Sequence, residues 1–284
     1  MVQQSAATDR EEVESYFPPV DRVTYQKNPL ERVISQIRYP PILRIDATPT
    51  EFQERIRHRF PVYKEAGGDA LGIPPEIAGA LPPEIATQVA ADIRQAIGAR
   101  PTPNYSFLTE DESWTVGLTR DSISLTTTRY ARWEEFRDTF APVIEALVAI
   151  YSPAYYTRIG LRYRDVICRT EIGIAGVPWS ELIAQPIAAE LSVEQLEPAI
   201  DISSHQAHLL MPDGVEVLLH HGLGTKKESR ETCFLIDSDL YTADRTEVPD
   251  AARVLDRLHS HAGRLFRWTI TDRLHDAMDP APLA

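Results

Sequence analysis

Cysteine is scarce in this chain, with only Cys168 and Cys233 among 284 residues. Two cysteines make neither a disulfide framework nor a zinc motif, so we expect reduced thiols in an intracellular protein. The chain also lacks a basic, apolar leader and any run of about 18 apolar residues, which argues against secretion and against a membrane-spanning helix. We therefore predict a cytoplasmic protein with no cofactor and no membrane partner.

Basic residues are also too few for a general nucleic-acid-binding protein. The chain has 29 lysines and arginines against 42 aspartates and glutamates, for a formal net charge of −13. Nucleic-acid binding usually requires a basic face, so nucleic acid is not an expected partner. Catalytic signatures are missing as well, because the sequence contains no HExxH, CxxC or GxSxG pattern.

The composition predicts one large domain preceded by a tail. Residues 1–27 are polar and acidic, and we predict a flexible N-terminal tail there. Residues 28–284 are long enough and apolar enough to form a single domain with its own core. Within this domain, the proline-rich segment 64–104 contains the near-repeat IPPEIAGA–LPPEIATQ and predicts a partly helical surface insertion.

Strands and helices do not alternate one to one along the domain. A first strand, 31–39, extends through 42–45, and a helix capped by Thr48 then buries a stripe at Phe52 and Phe60. The later elements are a hairpin near 114–127, a helix at 133–151, a strand at 155–167, a crossover helix at 179–189, a hairpin at 207–220, a strand at 232–241 and a closing helix at 249–278. This order predicts an α+β fold, with a mostly antiparallel sheet and helices packed on one face. Each half supplies a hairpin, a further strand and a covering helix, which allows a pseudo-duplicated domain.

The strand predicted at 155–167, YYTRIGLRYRDVI, has two unlike faces because successive side chains point to opposite sides. One face is apolar. The other face carries the candidate site residues Tyr156, Arg158, Arg162 and Arg164. Guanidinium groups bind phosphate and carboxylate bidentately, so this face is a candidate ligand- or partner-binding site. Arg38 on the first strand would join it if the strands are neighbours, and Gly160 would let a ligand or another backbone approach closely.

The predicted strand 232–241 offers the opposite charge. Asp237 and Asp239 in FLIDSDLY are two residues apart and therefore share a face. In one interpretation they pair with the arginines across the sheet and form an internal charge ladder. In the other, Asp237, Asp239 and His220 hold a divalent cation, and the arginines face an open groove.

Gly222 and Gly224 in HHGLGTKK are the only hint of a phosphate-binding loop. Such a glycine loop must follow a strand and open a helix. Here two lysines and then another predicted strand follow. We therefore predict a hairpin connection at these glycines rather than a nucleotide site.

Four segments together resemble a known family: NPLERVISQIRYPPILRI, TTTRYARWEEF, YYTRIGLRYRDVI and FLIDSDLY. The family is a sporadically distributed group of uncharacterised bacterial proteins of about this length. The resemblance covers most of residues 28–275, leaves out the proline-rich segment, and implies no activity and no catalytic residues. The patchy distribution of such genes implies a mobile-element setting, such as a toxin–antitoxin or phage-defence locus.

From these observations we expect a non-catalytic binding protein whose partner is another protein. Exposed sheet edges also favour a homo-oligomer. One alternative is a sensor of nucleotides or nucleic-acid ends that uses the arginine face on a phosphate. A weaker alternative is a metal-dependent phosphoesterase built on Asp237, Asp239 and His220.

Overall fold

The computed structural model describes residues 14–47, 49–66, 104–226 and 229–283. Thr48, the predicted helix cap, lies outside these ranges. So does the predicted insertion from residue 67 to residue 103, whereas its first residues belong to a strand.

The named strands pair exclusively in antiparallel fashion within the described ranges. The strands are β1 (Val23–Tyr25), β2 (Leu30–Arg38), β3 (Val62–Ala66), β4 (Asn104–Leu108), β5 (Trp114–Thr119), β6 (Ser122–Thr127), β7 (Arg158–Ile167), β8 (His205–Leu210), β9 (Glu216–Thr225), β10 (Thr232–Thr242) and β11 (Pro280–Pro282). Nine of them form one sheet in the order β3-β4-β5-β6-β2-β7-β10-β9-β8, and β1 pairs with β11. The predicted continuation of the first strand through 42–45 is wrong, because two prolines follow β2 and Leu43–Asp46 forms a 3-10 helix.

Helices cover one face of the nine-stranded sheet, and this arrangement confirms the predicted α+β fold. The helices are α1 (Thr50–Ile56), α2 (Trp133–Tyr151), α3 (Arg169–Ile172), α4 (Gln185–Ala188), α5 (Ala251–Thr269) and α6 (Asp272–Ala277). The α2 helix packs on β5, where the rings of Phe136 and Trp114 lie 5.8 Å apart, and α5 packs on β7 and β10. The core lies between this helix layer and the inward side chains of the strands.

The two halves of the chain have similar topologies, although the first meander has four strands and the second has three. In the first half, β2 is followed by the meander β3 to β6, whose last strand returns beside β2, and then by α2. In the second half, β7 is followed by the meander β8 to β10, whose last strand returns beside β7, and then by α5. Both covering helices have 19 residues. Because β2 and β7 are antiparallel neighbours in the middle of the sheet, with one meander on each side, this topology supports a pseudo-duplicated domain.

The predicted flexible tail is wrong for its second half. Phe17 is buried and its ring lies 5.1 Å from that of Trp268, while β1 pairs with β11 near the other end of the chain. These partners lie at opposite ends of the sequence, so local patterning could not reveal the contact. Residues 1–13 of the predicted tail lie outside the described ranges.

Two predicted helices are interrupted by a contact between them. The closing helix 249–278 is divided into α5 and α6, and the crossover helix 179–189 is divided into short turns. Ile270 has extended backbone and forms an isolated antiparallel bridge with Ile183. Thr271 then caps α6, because its hydroxyl accepts a hydrogen bond from a backbone N–H of that helix. This bridge interrupts both predicted helices. Local helix propensity cannot predict it, because the two residues are far apart in the sequence.

The two cysteines form a disulfide, which corrects the expectation of reduced thiols. Cys168 directly follows β7 and Cys233 lies in β10, and the pairing of these strands brings their Cα atoms to 4.5 Å. Disulfides are rare in cytosolic proteins, so this bond removes the cysteine argument from those on which the cytoplasmic prediction depended. In the ranges that the structure describes, no helix has the length and apolar character needed to cross a membrane.

Candidate functional site

The predicted arginine strand is β7, which lies at the centre of the sheet between β2 and β10. Its register places Arg162 opposite Asp239 and Arg164 opposite Asp237. The intervening residues of β7, such as Leu161, are buried in the core. The arginines and aspartates therefore project from the sheet face that points away from α2 and α5. The fold thus makes the arginine strand β7 and the aspartate strand β10 neighbours. Their side chains decide between the two arrangements that the sequence left open, an internal charge ladder and an open groove with a cation site.

Each aspartate accepts hydrogen bonds from a guanidinium group. Arg162 donates from Nε and Nη2 to the two carboxylate oxygens of Asp237, both at 2.7 Å. Arg158 donates from Nη2 to Asp239 Oδ2 at 2.9 Å. The Asp237 side chain is only 8% exposed, so its charge depends on Arg162 for compensation. For these two arginines, the internal charge ladder is the arrangement that forms.

Gly160 serves the ladder rather than an incoming ligand, contrary to our prediction. The Arg158 side chain folds across it, so that a β-carbon at position 160 would lie 2.3 Å from Arg158 Nη1. The guanidinium carbon then lies 4.4 Å from the centre of the Tyr241 ring, in a cation–π contact. Burial raises the pKa of Asp239, and the charges of Arg158 and Arg162 oppose this shift.

The remaining arginines of this face are more exposed. Arg164 Nε lies 3.1 Å from Glu31 Oε2, and both side chains are more than 40% exposed. Arg38 lies directly opposite Arg158, and Arg32 lies directly opposite Arg164. Among the residues that the structure describes, neither Arg32 nor Arg38 has an ion-pair partner. The β2 strand therefore contributes two positive charges that no acidic side chain of the described residues compensates.

Tyr156 is not part of this face, so its predicted role in ligand binding is wrong. It is fully buried in the core. Tyr156 forms an isolated bridge with Thr246 before β7 begins, and the alternation of side chains changes phase between Tyr156 and Arg158. Its hydroxyl has no hydrogen-bond partner among the described residues, and burial raises its pKa to about 12.

The structure does not support the alternative in which Asp237, Asp239 and His220 hold a metal ion. The arginines already bind Asp237 and Asp239, and in the described part of the chain these aspartates and His220 do not form a group with metal-binding geometry. A group that does have suitable spacing is formed by the two cysteines and Glu231. Its two sulfur atoms are bonded to each other, so they are not thiolate ligands in this structure.

The predicted hairpin connection at Gly222 and Gly224 is also wrong, because both glycines lie within β9. Gly222 has a φ of +150°, and a β-carbon there would lie 2.1 Å from the backbone oxygen of Ser203. Glycine is needed because the segment that leads into β8 crosses close to the strand at this point. These glycines therefore have a packing role and do not form a phosphate-binding loop.

Polar side chains flank the charge ladder on both sides, and together with the ladder we call this surface the polar face. Directly opposite residues of neighbouring strands share a face, so the register identifies the members. On the side of β2, β6 and β5 they are Gln36, Ser122, Ser124, Thr126, Thr115 and Thr119. On the side of β10, β9 and β8 they are Tyr241, Glu216, His220, Gln206 and His208.

On the core side, sequence reasoning missed a cluster of polar aromatic contacts. The Tyr163 hydroxyl lies 2.8 Å from His259 Nδ1, and the His259 ring stacks on Trp133 with 4.5 Å between centroids. Tyr130 packs edge-on against Tyr163. Burial lowers the pKa of His259 to about 3, with a further contribution from the positive charge of Arg22. The imidazole is therefore neutral at physiological pH.

Asp165 is a second group that sequence reasoning missed. It is 4% exposed, and among the described residues no ion pair or hydrogen bond to its side chain is found. Burial, followed by the negative charge of Asp237, raises its pKa well above the usual range. The alternation of β7 contained the signal, because Asp165 has the same parity as Tyr163 and Ile167 on the apolar face.

Comparison with protein-family models and with curated proteins finds no match to this chain. The resemblance to the sporadically distributed bacterial group therefore stays a prediction.

Proposed function

We propose that the protein binds another protein without catalysis and that the polar face is the docking surface. The observation that carries this proposal is the charge balance of the face. Asp239 and Asp237 compensate Arg158 and Arg162, whereas Arg32 and Arg38 have no ion-pair partner among the described residues. A chain with a net charge of −13 thus exposes uncompensated positive charge on β2, near the middle of its sheet. The complementary partner carries acidic side chains.

The size of the polar face also suits a protein. Nine strands about 4.8 Å apart span roughly 38 Å, and strands of ordinary length run for roughly 18 Å. The product, roughly 700 Å², is close to the ~800 Å² that each partner contributes to an interface of standard size. Small-molecule sites are usually concave pockets instead.

The charge ladder argues against metal binding or acid–base catalysis by its two aspartates. Asp237 accepts two charge-assisted hydrogen bonds, and Asp239 accepts one and lies beside a second guanidinium. A carboxylate bound in this way would have to release its arginine before it could ligate a metal or accept a proton. Binding of a partner at Arg32 and Arg38 requires no such rearrangement.

A second candidate function, recognition of a phosphate group, rests on one observation. Arg38 lies directly opposite Arg158, so their two guanidinium groups could approach one anion. Arg158, however, is held by Asp239 and Tyr241. A phosphate would therefore compete with an internal carboxylate, which makes this the weaker candidate.

The test compares the wild-type protein with the double variant Arg32→Glu/Arg38→Glu. Each protein is immobilised and exposed to extract of the organism that encodes it, retained proteins are quantified by mass spectrometry, and the enriched partner is purified and titrated. We expect the double variant to bind that partner at least tenfold more weakly, and wild-type binding to weaken as salt rises. Arg253→Glu is the matched control, because this exposed arginine lies on α5 and should not affect binding.

Equal binding of the partner by the wild-type protein and the double variant would contradict the proposal. A thermal-shift experiment with nucleoside triphosphates decides the second candidate, since a bound ligand raises the melting temperature. A rise that Arg38→Glu abolishes would favour phosphate recognition. The toxin–antitoxin or phage-defence setting and the cytoplasmic location rest on sequence alone and stay predictions.

A further inference from the structure

The edge strand β8 has a row of backbone groups that point away from the sheet. In the described residues β8 pairs only with β9. The N–H groups of Ser203 and Met211 donate to Leu223 and Val215, so odd-numbered residues of this segment bond to β9. Residues bonded to one neighbour alternate along an antiparallel strand with residues whose groups point the other way. The outward residues of β8 are therefore Gln206, His208 and Leu210.

Exposed apolar side chains are concentrated in β8 and in the segment of sequence that precedes it. Seven large hydrophobic side chains are exposed in the described part of the chain, and four of them lie within the 18 residues from 193 to 210. They are Val193, Leu196, Ile202 and Leu210. Leu210 is an outward residue of β8 itself and is 65% exposed. Apolar side chains at an edge that can still form hydrogen bonds are typical of an interaction surface.

The other edge of the sheet, β3, does not share these properties. It carries Lys64, which forms an ion pair with Glu112, and charged side chains discourage the addition of another strand. In contrast, the segment 202–212, ISSHQAHLLMP, contains no lysine, arginine, aspartate or glutamate, and its only proline follows the strand. Two features that protect many natural sheet edges, a formal charge and a proline within the strand, are therefore absent from β8.

We propose that β8 pairs antiparallel with β8 of a second copy of this chain. The lack of formal charge in 202–212 lets two chains of net charge −13 approach each other at this edge. A two-fold axis perpendicular to the sheet and passing beside His208 sets His208 opposite its own copy and Gln206 opposite Leu210 of the second copy. Each outward residue of one β8 then exchanges backbone hydrogen bonds with an outward residue of β8 in the second copy. The edge is therefore self-complementary. The polar faces of both copies lie on the same side and stay open.

The test is the oligomeric state of the full chain, measured by sedimentation equilibrium over a range of concentrations. We expect a monomer–dimer equilibrium for the wild-type protein. Gln206→Pro should raise its dissociation constant at least tenfold while changing the melting temperature of the monomer little, because this N–H does not bond to β9. Leu210→Lys provides an independent variant, since it adds an edge charge at an exposed position and should also weaken the dimer.

The contrast variant is Ala207→Pro, which removes an N–H that bonds to β9 and should lower the melting temperature. Hydrogen exchange gives a second measurement, because the amides of Gln206, His208 and Leu210 should become protected as the dimer forms. A protein that stays monomeric up to about 0.1 mM would overturn the proposal. A dimer whose dissociation constant neither Gln206→Pro nor Leu210→Lys changes would also overturn it and would place the interface elsewhere.

Discussion

Truncating the arginines of the charge ladder one at a time tests whether the ladder holds the fold together. Arg162→Ala would leave the carboxylate of Asp237, 8% exposed, without its guanidinium partner. Breaking a buried ion pair from one side costs about 3–5 kcal/mol, and the partial exposure of Arg162 favours the lower end, about 3 kcal/mol. Arg158→Ala should cost about 1–2 kcal/mol, because Asp239 is 26% exposed and water can partly replace the arginine.

Arg164→Ala completes the series as an internal control. Its partner Glu31 is 47% exposed, so the expected loss is about 0.5 kcal/mol or less. Urea unfolding at pH 7 measures the three free energies of unfolding, with unchanged m-values as the check on two-state behaviour. The double variant Arg162→Ala/Asp237→Ala should recover much of the loss, because the orphaned charge is then gone. Equal losses for all three single variants, or no recovery in the double variant, would refute the reasoning.

Three further outcomes follow from the structure. Gly160→Ala should displace Arg158 from its aspartate and destabilise the protein by about 1–2 kcal/mol in urea unfolding, and an unchanged free energy would contradict the close contact described at this glycine. Replacement of Cys168 and Cys233 by serine should lower the free energy of unfolding by about 4 kcal/mol, because the bond closes a long loop, and alkylation before and after reduction should confirm the bonded state of the wild-type pair. The raised pKa of Asp165 means that the folded state binds its proton more tightly than the unfolded state, so the stability contributed by this group is lost as pH rises through the folded pKa. Asp165→Asn should therefore raise the melting temperature at pH 7 more than at pH 4, and equal shifts at the two values would contradict this assignment.

The sequence predicted those elements whose signal is local. The α2 helix and the central strands have apolar side chains at regular spacing, and their predicted positions agree closely with the structure. The sequence also predicted the charge ladder as one of two arrangements. Arginines two residues apart on one strand and aspartates two residues apart on another favour pairing across the sheet. Choosing between the arrangements required the strand order, which no local pattern contains.

The errors concern contacts between distant segments. The bridge of Ile270 with Ile183 divides two predicted helices, and the pairing of β1 with β11 fixes part of a predicted tail. The phase change before β7 removed Tyr156 from the arginine face. The disulfide of Cys168 with Cys233 depends on the adjacency of β7 and β10, which a count of cysteines cannot provide.

The arrangement of charge across β7 supports the proposal that a partner binds at β2. On one side, β10 supplies carboxylates to the ladder, while on the other side β2 sets Arg38 opposite Arg158 and Arg32 opposite Arg164. Like charges directly opposite each other on neighbouring strands are destabilising, and a neutral side chain at either β2 position would remove the conflict. Local conflicts of this kind are expected where function requires them. Two such conflicts lie at the boundary between the repeated halves of the domain, and acidic side chains of a bound protein would relieve both of them.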